Sequence, residues 1–275
     1  MNFSPKHDLV LKPTIFKFLS AISVILVVAS CQTSSPQGSD RIASDDRQYM
    51  NLSVAASYLD AGRPDKAMHE LTSVLSEKPN NIEALNLMGL SQLALSNPKK
   101  AVIYLERAWK IEKSAPIAVN LSSAYLEVKK HSDAEKIINF VLNAKTEKPY
   151  RHQERLYHNL GLVADRTKRP LLAEKMFKKA VEENPMFYMS HLQLSKLYLE
   201  RRKTDLAKKQ LESARFACPS CYEPLKELVD IHISRGEFTS ARQLIGDYKL
   251  TEGISTSDRR KVNNLESKLS RTATR

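Results

Sequence analysis

Three cysteines carry most of the covalent chemistry open to this 275-residue chain. Two form Cys218-Pro219-Ser220-Cys221. A CxxC pair can be a redox couple, half of a zinc site or a structural disulfide. There is no second CxxC, so a tetrahedral zinc site within one chain lacks ligands. The βαβ setting of a thioredoxin-type motif is missing too. The expectation is a structural disulfide, with free thiols and redox work as the alternatives. The third, Cys31, ends Val28-Ala29-Ser30-Cys31. A branched apolar residue and two small ones before a cysteine resemble the bacterial lipobox, and that resemblance implies that the thiol is acylated and that cleavage makes the cysteine the new N-terminus. The alternative is a plain signal peptide with a cysteine nearby.

The other reactive side chains form no catalytic pattern. His69, His131, His152, His158, His191 and His232 are scattered, with no HExxH. There is no G-x-S-x-G, no P-loop and no Rossmann glycine run. The chain is not expected to be an enzyme, and no catalytic residue, metal ligand, cofactor or small-molecule substrate is expected. His158 and His191 fall on expected helices and either face a groove or pack as surface or inter-helix histidines.

Residues 1–30 frame Cys31. Lys6, Lys12 and Lys17 precede the apolar run Phe18–Ala29. Twelve such residues are too few for a spanning helix, which takes about 20, so 1–30 reads as a cleaved lipoprotein signal peptide. Several acyl chains, at about 0.8 kcal/mol per buried CH₂, anchor stably. Gln32 follows Cys31, where aspartate in similar lipoproteins favours inner-membrane retention. The expected location is therefore the outer membrane, lipid-anchored and facing the periplasm. Residues 31–47 are expected to be the lipidated cysteine and a flexible tether. The polar stretch 32–44 contains Pro36 and Gly38.

From residue 48 the chain repeats. An alanine followed four residues later by a large apolar residue recurs as Ala67/Leu71, Ala101/Leu105, Ala134/Ile138, Ala173/Phe177, Ala207/Leu211 and Ala241/Ile245. The steps between alanines are 34, 33, 39, 34 and 34 residues, and the tetratricopeptide (TPR) period is 34. The small residue lets two antiparallel helices approach, and the large one fills the groove between them. Only 7 glycines are present, which argues against turn-rich β architectures. The fold class expected is all-α: a TPR solenoid of six helix-turn-helix repeats over 48–250 (about 48–81, 82–114, 115–153, 154–187, 188–221 and 222–250). Residues 251–275 form a capping helix or tail with the apolar stripe Val262, Leu265 and Leu269. The 39-residue step places five extra residues near Thr146–Tyr150. Cys218 and Cys221 would staple the second helix of repeat five to the first of repeat six.

By repeat position, candidate groove residues on the first helix of each hairpin are Asn86 and Leu90, Val119 and Ser123, His158 and Leu162, and Leu192 and Lys196. The alternative for the apolar ones is packing between repeats. Residues 154–221 hold 14 Lys+Arg against 8 Asp+Glu, in a chain of net charge +12. Such a patch attracts an acidic protein or anionic envelope polymer or is a solvated helix face. Nucleic acid is not expected as a partner of an exported protein.

Lipobox, tether and repeats together resemble the type IV pilus pilotins, the PilF/PilW/Tgl lipoproteins. Lys148-Pro149-Tyr150, Asn159-Leu160-Gly161-Leu162 and Ala173-Glu174-Lys175-Met176-Phe177-Lys178-Lys179-Ala180 carry the likeness. Some family members have a cysteine pair joining repeats three and four, where this chain has Tyr125-Leu126 and Leu162-Val163. The resemblance implies a pilotin that binds the type IV pilus secretin subunit, promotes its outer-membrane localisation and ring assembly, and so supports pilus biogenesis. It implies two partners, the secretin and, through acylated Cys31, outer-membrane lipid. Two other readings stand beside it. One is a TPR adaptor of the envelope, such as a peptidoglycan-enzyme scaffold or β-barrel assembly component. The other is a thiol-active periplasmic protein using Cys218 and Cys221.

Overall fold

The computed structural model describes residues 37–144 and 150–273. Cys31, the expected acylation site, and the extra residues Thr146–Pro149 lie outside the described residues. The chain divides into two units, Met1–Ile42 and Ala43–Arg275; the second carries the repeats. Thirteen helices and no strand occur among the described residues. They form the expected solenoid of TPR-like helical hairpins.

The hairpins follow in chain order. The first is α1 (Gln37–Asp60) with α2 (Pro64–Glu77), the second α3 (Ile82–Ala94) with α4 (Pro98–Ile111), the third α5 (Ala115–Glu127) with α6 (His131–Leu142). The fourth is α7 (Gln153–Arg166) with α8 (Pro170–Glu183), the fifth α9 (Tyr188–Glu200) with α10 (Thr204–Ala217), the sixth α11 (Tyr222–Ser234) with α12 (Phe238–Lys249). A final helix, α13 (Thr256–Ala273), packs on α11 and α12.

The repeated alanines sit where the packing argument places them. Ala67, Ala101, Ala134, Ala173, Ala207 and Ala241 have no exposed surface. Their large partners Leu71, Leu105, Ile138, Phe177, Leu211 and Ile245 are buried as well. Two of those partners press on helix backbone. A Cβ added at Gly89 would stand 2.7 Å from Leu105 Cδ2, and one at Gly161 would stand 2.5 Å from Phe177 Cε1. At the same register α5 and α9 use buried serines, Ser122 and Ser195, which donate back to Val119 and Leu192 carbonyls.

The turns within hairpins share one geometry. Gly62, Ser96, Lys129, Lys168, Arg202 and Gly236 have φ between 55° and 74°. The amide of the next residue bonds five positions back, as in Arg63 to Tyr58, Lys130 to Tyr125 and Lys203 to Tyr198. This is a Schellman stop for the first helix. The second helix starts at once, with Pro64, Pro98 or Pro170 in its first turn for α2, α4 and α8. The left-handed conformation costs a side-chain-bearing residue roughly 1–2 kcal/mol. Four of the six turns bear that cost, so glycine content alone hides them.

One boundary differs from expectation. The tether reading of residues 31–47 is corrected from residue 37 onward: α1 begins at Gln37 and is 24 residues long. Tertiary contacts hold its early part. Asp45 pairs with Lys78 at 2.6 Å, and Gln48 Nε2 donates to Glu77 at 2.8 Å. Ser255 caps α13: its Oγ accepts the Asp258 amide at 3.0 Å while donating to the Asp258 carboxylate at 2.9 Å. Val262, Leu265 and Leu269 of α13 are buried against Ile245 and Tyr248, closing that end of the stack.

Candidate functional site

The first helices α3, α5, α7 and α9 carry two rows of candidate groove residues one turn apart. Asn86, Val119, His158 and Leu192 form one row, and Leu90, Ser123, Leu162 and Lys196 the other. Four residues is about one helical turn, so the rows share a face. The structure separates them by depth. Val119, His158 and Leu192 are 7–8 % exposed, and Asn86 is half-buried. Leu90, Ser123 and Leu162 are half-buried and Lys196 is exposed. The first row packs between helices: Val119 lies with Ile138, Leu156 and Met176, and Leu192 with Leu211, Leu228 and Ile231. The second row is the more accessible of the two.

A polar seam stitches successive first helices together. Asn120 Nδ2 donates to Asn86 Oδ1 at 2.9 Å, joining α5 to α3. Asn159 Nδ2 lies 3.1 Å from the Val119 carbonyl, 2.8 Å from Ser122 Oγ and 3.0 Å from Ser123 Oγ, joining α7 to α5. His158 Nδ1 meets Ser190 Oγ at 2.9 Å, joining α7 to α9. Asn120 and Ser190 were not among the sequence candidates; Asn159 was noted only within the Asn-Leu-Gly-Leu resemblance. The signal was present in the amides at nearly one repeat's spacing.

His158 and His191 are structural here. His158 lies between Phe177 and Phe187, with ring centroids 5.5 and 5.3 Å away, and burial lowers its pKa to about 4. It is therefore neutral at pH 7. His191 reaches Gln210 Oε1 at 2.8 Å and the Pro185 carbonyl at 3.0 Å. Neither ring is open to a ligand. Among the described residues no group of three His, Cys, Asp or Glu is arranged to hold a metal ion.

The face ends at the sixth hairpin. There Lys226 Nζ bonds Glu227 at 3.0 Å and Asp230 at 2.9 Å, while Lys268 of α13 reaches Asp230 at 3.0 Å. The Asp230 hydrogen bond holds the Lys226 ammonium above its usual range. Burial pushes the Asp230 carboxyl up, but the two lysines outweigh it and hold it below. The stretch from α3 to α9 is thus the part not covered by the terminal helix. Separately, a cleft of about 350 Å³ opens where the α4–α5 connection meets the end of α6, lined by Pro116, Phe140, Tyr150 and Leu156 among others. Lys113 lies 5.2 Å over the Phe140 ring there.

Cys218 and Cys221 are joined, with S–S 2.00 Å and Cα–Cα 5.4 Å. Cys218 caps the end of α10 and Cys221 the start of α11. The bridge therefore lies at the expected junction. Among the described residues no helix is long and apolar enough to cross a membrane.

Comparison with known proteins agrees with the hairpin fold. A tetratricopeptide repeat model matches residues 154–185, which is the fourth hairpin. No match to a curated protein sequence was found. Among solved structures, PilF of Pseudomonas aeruginosa is similar, with TM-score 0.61 and 18% identity over 80% of this chain and 98% of that one. PilW, described as a widely conserved type IV pilus biogenesis factor, gives TM-score 0.63 and 16% identity over 78% and 98%. The Cut9–Hcn1 assembly of the APC/C gives TM-score 0.64 and 11% identity, covering 82% of this chain and 44% of that one. At these identities the likeness is one of fold.

Proposed function

We propose that this chain is an outer-membrane lipoprotein that works as a pilotin, binding the type IV pilus secretin subunit and promoting its outer-membrane localisation and multimer assembly. The mechanism is binding alone, with no catalytic step and no cofactor. The observation that carries the reading is a conjunction. A lipobox at Val28–Cys31 stands before a hairpin stack whose fold is similar to PilF and PilW from end to end of those chains. Acylated Cys31 supplies the membrane address. The face formed by α3 to α9 receives an extended peptide or helix of the secretin. Its side chains set specificity, and the polar seam beneath keeps the helices in register.

The same geometry suits a TPR adaptor for peptidoglycan enzymes or for the β-barrel assembly machinery, since the similar fold also occurs in the Cut9–Hcn1 assembly. One experiment separates the two. Cys31→Ala should leave the fold intact, misplace the protein and reduce heat-resistant secretin multimers on a gel. Unchanged multimers, with barrel-assembly subunits co-purifying instead of secretin, would replace the pilotin reading with the adaptor reading.

A further inference from the structure

The turns within the hairpins line one edge of the stack, and that edge is charged in an ordered way. Lys129, Lys168 and Arg202 occupy the same left-handed position in three successive turns. Lys203 follows Arg202, and Lys99 and Lys100 open the second helix of repeat two. All six are exposed, and none has an ion-pair partner among the described residues.

The acids of this edge are mostly engaged already. Arg166 pairs with Glu127 at 3.2 Å, Arg169 with Glu135 at 2.7 Å and Arg235 with Asp205 at 2.7 Å; Arg201 pairs with Glu174. Each of these arginines reaches back to the preceding hairpin, so neighbouring turns lie side by side. Packed helices stand about 8–10 Å apart, which sets the order of spacing along the row. Among the described residues of this edge in repeats two to five, Asp165 and Glu200 are the carboxylates without an ion-pair partner, and the six cations outnumber them. Large apolar side chains stand among the cations. Leu171, in the first turn of α8, is 77 % exposed, and Leu206, in the first turn of α10, is 46 % exposed.

Separated point charges with apolar tips between them suit a bilayer surface: headgroup phosphates meet the cations and the leucines enter the interface. A soluble acidic polymer would use the cations and have no use for the leucines. We propose that the turn edge of repeats two to five is a docking surface for an anionic phospholipid bilayer, with Lys129, Lys168 and Arg202 as headgroup contacts and Leu171 and Leu206 as apolar tips. It lays the stack against the membrane independently of any acyl chain on Cys31.

The test uses residues 32–275, which keep the whole compact unit Ala43–Arg275 and its core clusters but lack Cys31. Failure here therefore leaves the pilotin reading untouched. The probes are vesicles of phosphatidylglycerol mixed with phosphatidylcholine, vesicles of phosphatidylcholine alone, and poly-glutamate. Lys129→Gly, Lys168→Gly and Arg202→Gly are combined, because glycine suits the left-handed turn and keeps the fold, as Gly62 and Gly236 do in the outer repeats. The expected result is salt-sensitive sedimentation with the anionic vesicles only, weakened roughly 100-fold by the triple change, about fivefold per cation. Leu171→Ser should weaken it further while leaving poly-glutamate binding unchanged. Equal binding by parent and triple variant, equal binding to both vesicle types, or binding to poly-glutamate without binding to vesicles would each overturn the proposal.

Discussion

Phe177 rests on the bare backbone of Gly161, so close that a Cβ there would stand 2.5 Å from the ring. Phe177 is 1 % exposed and holds α8 against α7. The ring cannot swing away, since His158 packs on it from α7.

Gly161→Ala should therefore destabilise the protein. Overpacking costs about 1–3 kcal/mol, more than the roughly 1 kcal/mol an alanine gains in a helix interior. Gly246, in α12, has nothing within 4 Å of a built Cβ. Gly246→Ala should stabilise by up to about 1 kcal/mol. Urea midpoints of the two variants should move in opposite directions. A Gly161→Ala protein as stable as its parent would show that the α7–α8 contact is looser than described.

Burial of His158 predicts an acid sensitivity of definite sign. Its folded pKa is about 4, against about 6.5 for an unperturbed histidine. Between those values the unfolded chain binds a proton that the folded one refuses. Stability from this group is complete above pH 6.5 and falls as the pH drops toward 4. At pH 5 the loss is about 2 kcal/mol. His158→Gln keeps a polar partner for Ser190 and cannot titrate. The parent should lose more stability than this variant between pH 7 and pH 5; equal losses would place the acid sensitivity elsewhere.

Much of the architecture was legible because one packing contact repeats. Each Ala-x-x-x-large pair marks the second helix of a hairpin, and the steps between alanines give the stack. What the pattern could not show lies where tertiary contacts decide. The helix running from Gln37 reads as polar chain until Gln48 and Asp45 are seen tied to Glu77 and Lys78. The left-handed turns at Ser96, Lys129, Lys168 and Arg202 carry no glycine to mark them. On the candidate face, register alone gave the right helices but not the depth. Val119 and Leu192 look like groove residues until the neighbouring hairpin covers them.

Asn159 is the strongest knot in the polar seam. Its amide lies within hydrogen-bonding distance of Val119 O, Ser122 Oγ and Ser123 Oγ, and the residue is 6 % exposed. Asn159→Ala leaves those acceptors dry and should cost about 1–3 kcal/mol. Asn120→Ala, which breaks one bond in a half-buried setting, should cost about 0.5–1.5 kcal/mol. Thermal or urea unfolding ranks the two. The reverse order would mean that α5 and α7 are held mainly by apolar contact.

The Cys218–Cys221 bridge closes a very short loop, and the chain-entropy relation gives about 2 kcal/mol for it. The loop is also held without the bridge. Tyr248 donates from its hydroxyl to the Ser220 carbonyl at 2.7 Å, and the Cys221 amide donates to the Cys218 carbonyl at 3.2 Å. The Tyr248 ring is fully buried, so the first of these bonds is anchored in the α12 core. Reduction alone should therefore lower stability by no more than about 2 kcal/mol. Combining Cys218→Ser and Cys221→Ser with Tyr248→Phe should cost more than the sum of the separate losses, because each restraint covers for the other. Strict additivity in that cycle would show that bridge and tyrosine order the α10–α11 connection independently.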